Sequence, residues 1–271
     1  MENGLRPATD EEYKKTIVNL LKRTHEICEA NGIRYTVGFG TALGTVRHKG
    51  FIPWDDDIDI LMKREDYERF LLIAPEELSD HYVIQHPSTV PAYWSTFLKV
   101  RVRDTAPLFY QEHIRKLTPY CGPCLDVFPL DYVKHRSSPD QRIRCDSIRL
   151  FRRMVDFKTG ALTPWDLKTG VIWLLSSFFS LDWLQARVDR EMRRQDDSAK
   201  EYIAAFSTFH KYRCIIAPSE EYQVDYAEFE GYRMPVPAGY ENLLTRIYGN
   251  WRRIPPENER ETKHQYVPAS D

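Results

Sequence analysis

No run of apolar residues in this 271-residue chain is long enough to cross a bilayer. The most apolar segment, "GVIWLLSSFFSL" (170–181), closes at Asp182, well short of the about 20 residues a spanning helix needs. The opening "MENGLRPATDEEYKK" lacks the basic and then apolar order of a signal peptide. Cysteine is scarce and odd in number, five in all, which excludes a disulfide framework in a chain of this size. There is no excess of one charge: 38 Lys and Arg against 40 Asp and Glu leave a formal −2. That balance excludes a broadly electrostatic nucleic-acid binder. Repeats and low-complexity tracts are missing as well. Together these absences predict a cytoplasmic globular protein.

What is present suits a folded enzyme-sized domain. The chain is 42% apolar and 29% charged, ordinary for a globular protein with a substantial core. Sixteen Tyr, thirteen Phe and six Trp suit a fold with deep pockets. "TDEEYKKTIVNLLKRTHEICEANG" reads as an amphipathic helix capped by Thr9 or Asp10 and stopped at Gly32, with Ile17, Leu20, Leu21, Thr24 and Cys28 on one stripe. "IRYTVGFG" alternates as a strand, "TALGTVRH" opens a short helix after a glycine turn, and "DIDILM" is a second strand. "REDYERFLLIA" is a helix expected to end before Pro75. Strands are expected around 82–85 and 97–102, and "CLDVFPL" as a short strand ending at its proline. From Ser138 to about Arg194 the pattern is helical and basic, broken near Thr163-Pro164. The fold expected is α+β. A catalytic core spans residues 1–135, and a helical section with a C-terminal stretch folding back onto the core spans 136–271. Nothing linker-like marks the boundary.

The stretch "GFIPWDDDIDILM" (50–62) sets Asp55, Asp56, Asp57 and Asp59 among apolar neighbours. Such charge next to hydrophobic residues is costly unless something positive joins it. Alternate strand residues share a face, so Asp57 and Asp59 point together, with Asp55 beside them if the strand starts early, while Ile58 and Ile60 enter the core. Paired carboxylates on a rigid strand repel unless a divalent cation lies between them. Oxygen ligands suit Mg²⁺ or Mn²⁺, which keep water and substrate phosphate as further ligands. The alternative is a solvated acidic turn, which fits poorly with Ile at both intervening positions. Upstream, "GFGTALGTVRHKG" gives a strand end, a Gly-Thr turn and an immediate helix, whose N-terminal N–H groups and dipole favour an anion. Gly38 and Gly40 let a phosphate approach the backbone. Thr41 can donate to it, and Arg47, His48 and Lys49 can add positive charge.

Joined, these parts resemble the nucleotidyltransferase superfamily pattern, an apolar residue, Gly and Ser or Thr followed by D-h-D-h, where h is apolar. Within it, "GTALGTVRHKGFIPWDDDIDILMKREDYERF" closely resembles the LicD/fukutin phosphotransferases, with echoes in "KVRVRDT" (99–105), "CLDVFPLD" (124–131) and "VPAGYENLLTRIYGNWRRIPPENER" (236–260). The resemblance implies a nucleotidyltransferase-like mixed sheet flanked by helices, with an additional helical section. It implies transfer of a substituted phosphate, such as phosphocholine, from a CDP-linked donor to a sugar hydroxyl. The acceptor is a cell-surface glycan such as a teichoic acid or lipopolysaccharide, lipid-linked in some cases, and CMP is released. By matching positions, Asp57 and Asp59 would bind Mg²⁺ or Mn²⁺, and Gly40 and Thr41 would form the phosphate turn. Arg47, Arg101 and Arg103 would contact donor or acceptor phosphates. Asp55, His48 and the tail residue His264 are further candidates. A third acid is expected from a neighbouring strand. Asp126, flanked by Leu125 and Val127, is the first choice, Asp131, read as a turn or helix cap, the second, and Asp104 the third. Eukaryotic relatives use a CDP-alditol and carry a membrane anchor, which points this chain to the bacterial, cytoplasmic type.

Other readings stay open. A nucleotidyltransferase proper would attack the α-phosphorus of an NTP and release pyrophosphate. A catalytically dead glycan-binding protein would turn over nothing. The C-G-P-C of Cys121 and Cys124 matches a dithiol motif without its usual context, and a zinc site would need two more ligands from Cys145, Cys214 or a His. The basic helical section is a solvated face or, beside "VIWLLSSFF", a peripheral membrane contact. The segment 170–181 is otherwise expected as a buried core helix. The identity of the transferred group and the oligomeric state are not legible.

Overall fold

The structure, a computed structural model, describes residues 10–78, 81–103, 120, 122–136, 138–194, 201–210 and 213–260. Helix α1 (Asp10–Ala30) buries Ile17, Leu20, Leu21, Thr24 and Cys28 on one stripe. The chain then turns at Gly32, whose φ of +61° favours glycine. The alternating stretch that follows forms only a two-residue strand, β1 (Thr36–Val37). Helix α2 (Phe39–His48) starts at once, and β2 (Ile58–Lys63) lies antiparallel to β1. Ile58 and Ile60 are fully buried, each stabilising by about 1.5–3 kcal/mol.

Helix α3 (Arg64–Glu77) runs through Pro75 rather than stopping before it. Pro75 lies in the last turn, where its missing N–H leaves the Leu71 carbonyl without the usual helical donor. The chain closes the turn behind it with the Leu78 N–H donating to the Ala74 carbonyl at 3.0 Å. Strands β3 (Tyr82–Gln85) and β4 (Leu98–Val102) form an antiparallel pair.

Strand β5 (Cys124–Val133) is the spine of a seven-stranded mixed sheet. One edge runs parallel to β2. The other edge pairs first with β4, along Cys124–Val127, and then with β6 (Tyr202–His210), along Asp131–Val133. Pro129 was expected to end this strand. It lies instead between the two ladders, opposite Met62, where the absent N–H breaks neither. Strand β7 (Arg213–Pro218) extends the sheet beyond β6, so strands from before and after the helical section share it.

That section comprises α4 (Pro139–Thr159), α5 (Leu167–Ser176) and α6 (Leu181–Arg193), and the break near Thr163-Pro164 falls between α4 and α5. Segment 170–181 is no buried core helix. Only Thr169 and Ser176 of α5 are buried, while Trp173 and Leu174 are 52% and 57% exposed. A hairpin of β8 (Val224–Phe229) and β9 (Tyr232–Pro237) follows, then α7 (Tyr240–Tyr248). No helix among the described residues is long and apolar enough to cross a membrane.

Candidate active site

The mouth of the sheet is assembled from three separated parts of the chain around one cavity of about 650 Å³. The first is the turn between β1 and α2. The Gly38 N–H donates to the Asp59 carbonyl at 2.9 Å, and the Asp59 N–H donates to the Thr41 hydroxyl at 2.8 Å. The turn therefore pins the backbone of Asp59 from both sides. Gly40 is glycine because of a close approach: a Cβ there would lie 2.5 Å from Oδ2 of Asp55. That carboxylate rests against the N-terminal turn of α2, where the helix dipole favours negative charge. Phe39, the first residue of α2, has φ +43°. This backbone is unfavourable for a non-glycine residue, and such strain clusters at functional positions. Its ring lies edge-on to Phe128 at 5.2 Å, and both line the cavity.

The second part is the acidic strand. Asp55 and Asp57 precede β2 and Asp59 lies within it, and all three face the cavity. Register places Asp126 of β5 opposite Asp59, and Lys99 of β4 opposite Asp126. Asp126 also lines the cavity, so it shares the face of Asp57 and Asp59. Burial, then the charges of Asp57, Asp126 and Asp55, push the Asp59 carboxyl well above its usual range, against the pull of Lys99. The Lys99 ammonium lies 2.5 Å from both oxygens of Asp126 and 3.9 Å from the Cys124 sulfur. Burial opposes its charge, but the Asp126 carboxylate, Cys124 and Tyr93 together outweigh it and hold the amine protonated.

The third part closes the cavity from the C-terminal side through Tyr248, Asn250, Trp251, Arg253 and Glu259. The Arg47 guanidinium donates to the Trp251 carbonyl at 2.6 Å, tying α2 to this wall. Burial, then the carboxylates of Asp59, Asp55 and Asp57, push the Tyr248 phenol far up, so it remains an O–H donor beside the acids.

Of the residues expected from sequence, Gly40, Arg47, Asp55, Asp57, Asp59 and Asp126 meet at this cavity. Thr41 is buried behind it and braces Asp59. His48 adjoins it, accepting from Arg47 Nε at 2.9 Å and lying edge-on to Trp54 at 6.5 Å. Burial and the neighbouring Arg47 hold its imidazole below the usual range. Arg101 does not line the cavity: it donates to the Gln85 side chain and, at 2.7 Å, to the Gly122 carbonyl. Nor does Arg103, which donates to the Tyr82 carbonyl at 2.8 Å. Asp131 is neither a turn nor a cap. Five residues along the strand from Asp126, it faces the other side of the sheet and pairs with Arg64. Asp104, Cys121 and His264 lie outside the described residues. Lys99, Tyr248, Asn250 and Arg253 were missed. All four fall inside the echo blocks 99–105 and 236–260, which is the signal that pointed to them.

The donor set suits a hard divalent cation: oxygen-only carboxylates, crowded enough that Asp59 resists ionising. Among the described residues no three His, Cys, Asp or Glu side chains are drawn tightly enough together to grip an ion as they stand. The acids face one space without converging, and Lys99 holds Asp126.

Comparison with known proteins agrees with this layout. Residues 32–136, which contain the turn, β2 and β5, match the family model described as LicD/FKTN/FKRP, nucleotidyltransferase domain. The chain is 27% identical over 264 residues to the lipopolysaccharide cholinephosphotransferase LicD of Haemophilus influenzae, covering 96% of this chain and 97% of that one. An uncharacterised protein of Rickettsia prowazekii is 40% identical over 150 residues, covering 44% of this chain and 55% of the relative. One from Rickettsia typhi is 44% identical over 71 residues, 26% and 23% of the two chains. The acid-bearing strands thus lie in a domain that matches the LicD family model, and the likeness to LicD runs almost end to end.

Proposed function

We propose that the protein is a LicD-like phosphotransferase that moves phosphocholine, or a close analogue, from a CDP-linked donor to a sugar hydroxyl of a cell-surface glycan. The hydroxyl oxygen attacks the distal phosphorus, its bond to the CMP oxygen breaks, CMP leaves, and the hydroxyl proton passes to a carboxylate of the cluster. The observation that carries this reading is one cavity lined by Asp55, Asp57, Asp59 and Asp126 and by an aromatic wall of Trp54, Tyr248 and Trp251. Aromatic faces beside carboxylates complement a quaternary ammonium. Arg47 and Arg253 border the same space and supply positive charge for phosphate oxygens. Asp57, Asp59 and Asp126 would hold Mg²⁺ or Mn²⁺, with Lys99 yielding Asp126. A bound cation would neutralise the phosphates and lower the pKa of the attacking hydroxyl.

The likeness to a named lipopolysaccharide cholinephosphotransferase over nearly the whole chain supports the transferred group and the class of acceptor. The test follows phosphorus. With Mg²⁺, a glycan acceptor and CDP-choline, CMP and a phosphodiester should appear in the ³¹P spectrum. With CTP alone, no pyrophosphate should form. Pyrophosphate in place of CMP would make the protein a nucleotidyltransferase proper, and turnover of neither would leave a glycan-binding role.

A further inference from the structure

Helix α5 is inverted relative to a helix packed in water. Its buried positions are Thr169 and Ser176, whose hydroxyls donate locally to Asp166 and to the Trp173 carbonyl. Its outer surface and the turn after it carry Leu167, Val171, Trp173, Leu174, Leu175 and Phe178, between 48% and 87% exposed. Leaving apolar surface wet forfeits about 25 cal/mol per Å², and contiguous exposed patches mark contact with something other than water. We propose that this face docks the protein peripherally on an anionic lipid surface.

Charge selects that occupant. Residues 138–194 hold eleven Lys and Arg against seven Asp and Glu, in a chain whose total is −2. The helical section that bears the patch is thus net positive within a net negative chain. Between Leu167 and Leu181 the one charged residue is Lys168, so no carboxylate in that stretch repels an anionic headgroup. Asp166, just outside, is tied down as the N-cap of α5. Lys158 is exposed in the last turn of α4, and the Arg153 guanidinium lies 4.8 Å from the centroid of the Trp165 ring. Trp165, Trp173 and Trp183 are 61%, 52% and 45% exposed, and tryptophan is the residue enriched where an apolar interior meets headgroups. At a rise of about 1.5 Å per residue the ten-residue helix is far too short to span a bilayer but long enough to lie in its interface. A second copy of the chain is a poorer occupant, because a two-fold contact sets the same basic fringe against itself.

The experiment is co-sedimentation of the full chain with vesicles of phosphatidylcholine alone or mixed with phosphatidylglycerol. No turnover is involved, so its outcome is independent of the proposed reaction. The expected result is partitioning onto the mixed vesicles about tenfold stronger than onto the neutral ones. Trp173→Glu and Phe178→Glu, both at exposed positions that leave the fold intact, should each weaken binding about tenfold or more. Leu72→Glu, at an 81% exposed position on α3, should not. Lys158→Glu with Lys168→Glu should weaken binding to the mixed vesicles only. The proposal is overturned if the wild type stays in the supernatant with both vesicles, or if the patch variants bind as it does. It is overturned equally if sedimentation velocity without lipid shows a dimer that Trp173→Glu dissolves.

Discussion

Strand β5 carries two acids five residues apart, and their surroundings are opposite. Asp131 is fully buried, and Arg64 donates to both its oxygens, Nε and Nη2 each at 2.7 Å. The Arg144 charge also reaches it, although burial still holds its carboxyl above the usual range. That is a structural ion pair, closed on itself, with little left over for a ligand. Asp126 looks into the cavity, where Asp55, Asp57 and Asp59 add negative charge, the flexible amine of Lys99 holds Asp126, and Arg47 and Arg253 stand at the border. Charge is therefore balanced at one end of the strand and left in deficit at the other. On the proposed reading this is where a cation and phosphates would sit, because buried like charges favour a counter-charge to complete them.

The largest expected effect lies at the deficient end. Asp59→Asn should lower turnover by about 10³-fold or more, since on the proposed reading Asp59 would ligate the cation whose stabilisation of the reacting phosphates is realised in the transition state. Its circular dichroism should match the wild type. Activity within about tenfold of wild type would mean that the crowded carboxylates do not serve catalysis, and the contrast between the two ends would lose its functional meaning.

At the balanced end the effect should fall on stability instead. Asp131→Ala leaves the Arg64 guanidinium buried without its bidentate partner and should cost about 3–5 kcal/mol in urea unfolding. Asp189, 3.7 Å from Arg64, favours the lower end. The folded fraction should keep near wild-type kcat. A variant as stable as wild type but inactive would move Asp131 into the active site.

How far this contrast could be read in the sequence depends on range. The alternation of Asp57, Ile58, Asp59 and Ile60 is local, and the period-two rule fixed which face each side chain takes. The same rule made Asp126 the acid flanked by core residues. It did not reveal that Lys99 would stand opposite Asp126, because register between strands set by distant turns is not a local property. Arg101 and Arg103 looked like phosphate ligands for the same reason: positive charge was legible, its destination was not. Pro129 suggested a strand end because proline ordinarily breaks a ladder, and only the exchange of partners from β4 to β6 explains its tolerance. Segment 170–181 looked like core because composition reports hydrophobicity without direction. The C-terminal wall of Tyr248, Asn250 and Arg253 carries no period at all and was visible only as a block.

Lys99 offers a finer cut through the comparison. If it is a stand-in for a cation, Lys99→Met should destabilise the cation-free protein by about 2 kcal/mol, the cost of leaving a mostly buried carboxylate without its charged donor. Added Mg²⁺ should then raise the melting temperature of the variant more than that of the wild type, since no ammonium has to leave Asp126 first. Equal shifts in the two proteins would put Asp126 outside the cation site and leave Lys99 as a structural partner, like Arg64.

The smallest effect is a gain. The Asp59 carboxyl is pushed up by burial and by Asp57, Asp126 and Asp55, so its folded pKa exceeds the unfolded value of about 3.9. A group shifted in this direction contributes stability that is fully present below the unfolded pKa. That contribution is lost as the pH rises through the folded one, where the proton must leave a site that resists ionising. At neutral pH without divalent cation the native protein therefore carries a penalty that Asp59→Asn removes. The variant, inactive by the first prediction, should melt roughly 2–4 °C higher than wild type for each kcal/mol relieved. The gain should shrink as the pH is lowered through the folded pKa toward 4, where the native carboxyl keeps its proton and the unfolded one begins to gain it. It should shrink also when Mg²⁺ is added, because the cation stabilises only the wild type. The same substitution at Asp131 should move stability the other way at neutral pH, since Arg64 then loses its counter-charge. Melting curves of the two Asn variants at two pH values, with and without EDTA, give four comparisons with wild type for each variant. A lower melting temperature for Asp59→Asn at neutral pH in EDTA would show that this side chain is held by partners already in the fold, as Arg64 holds Asp131.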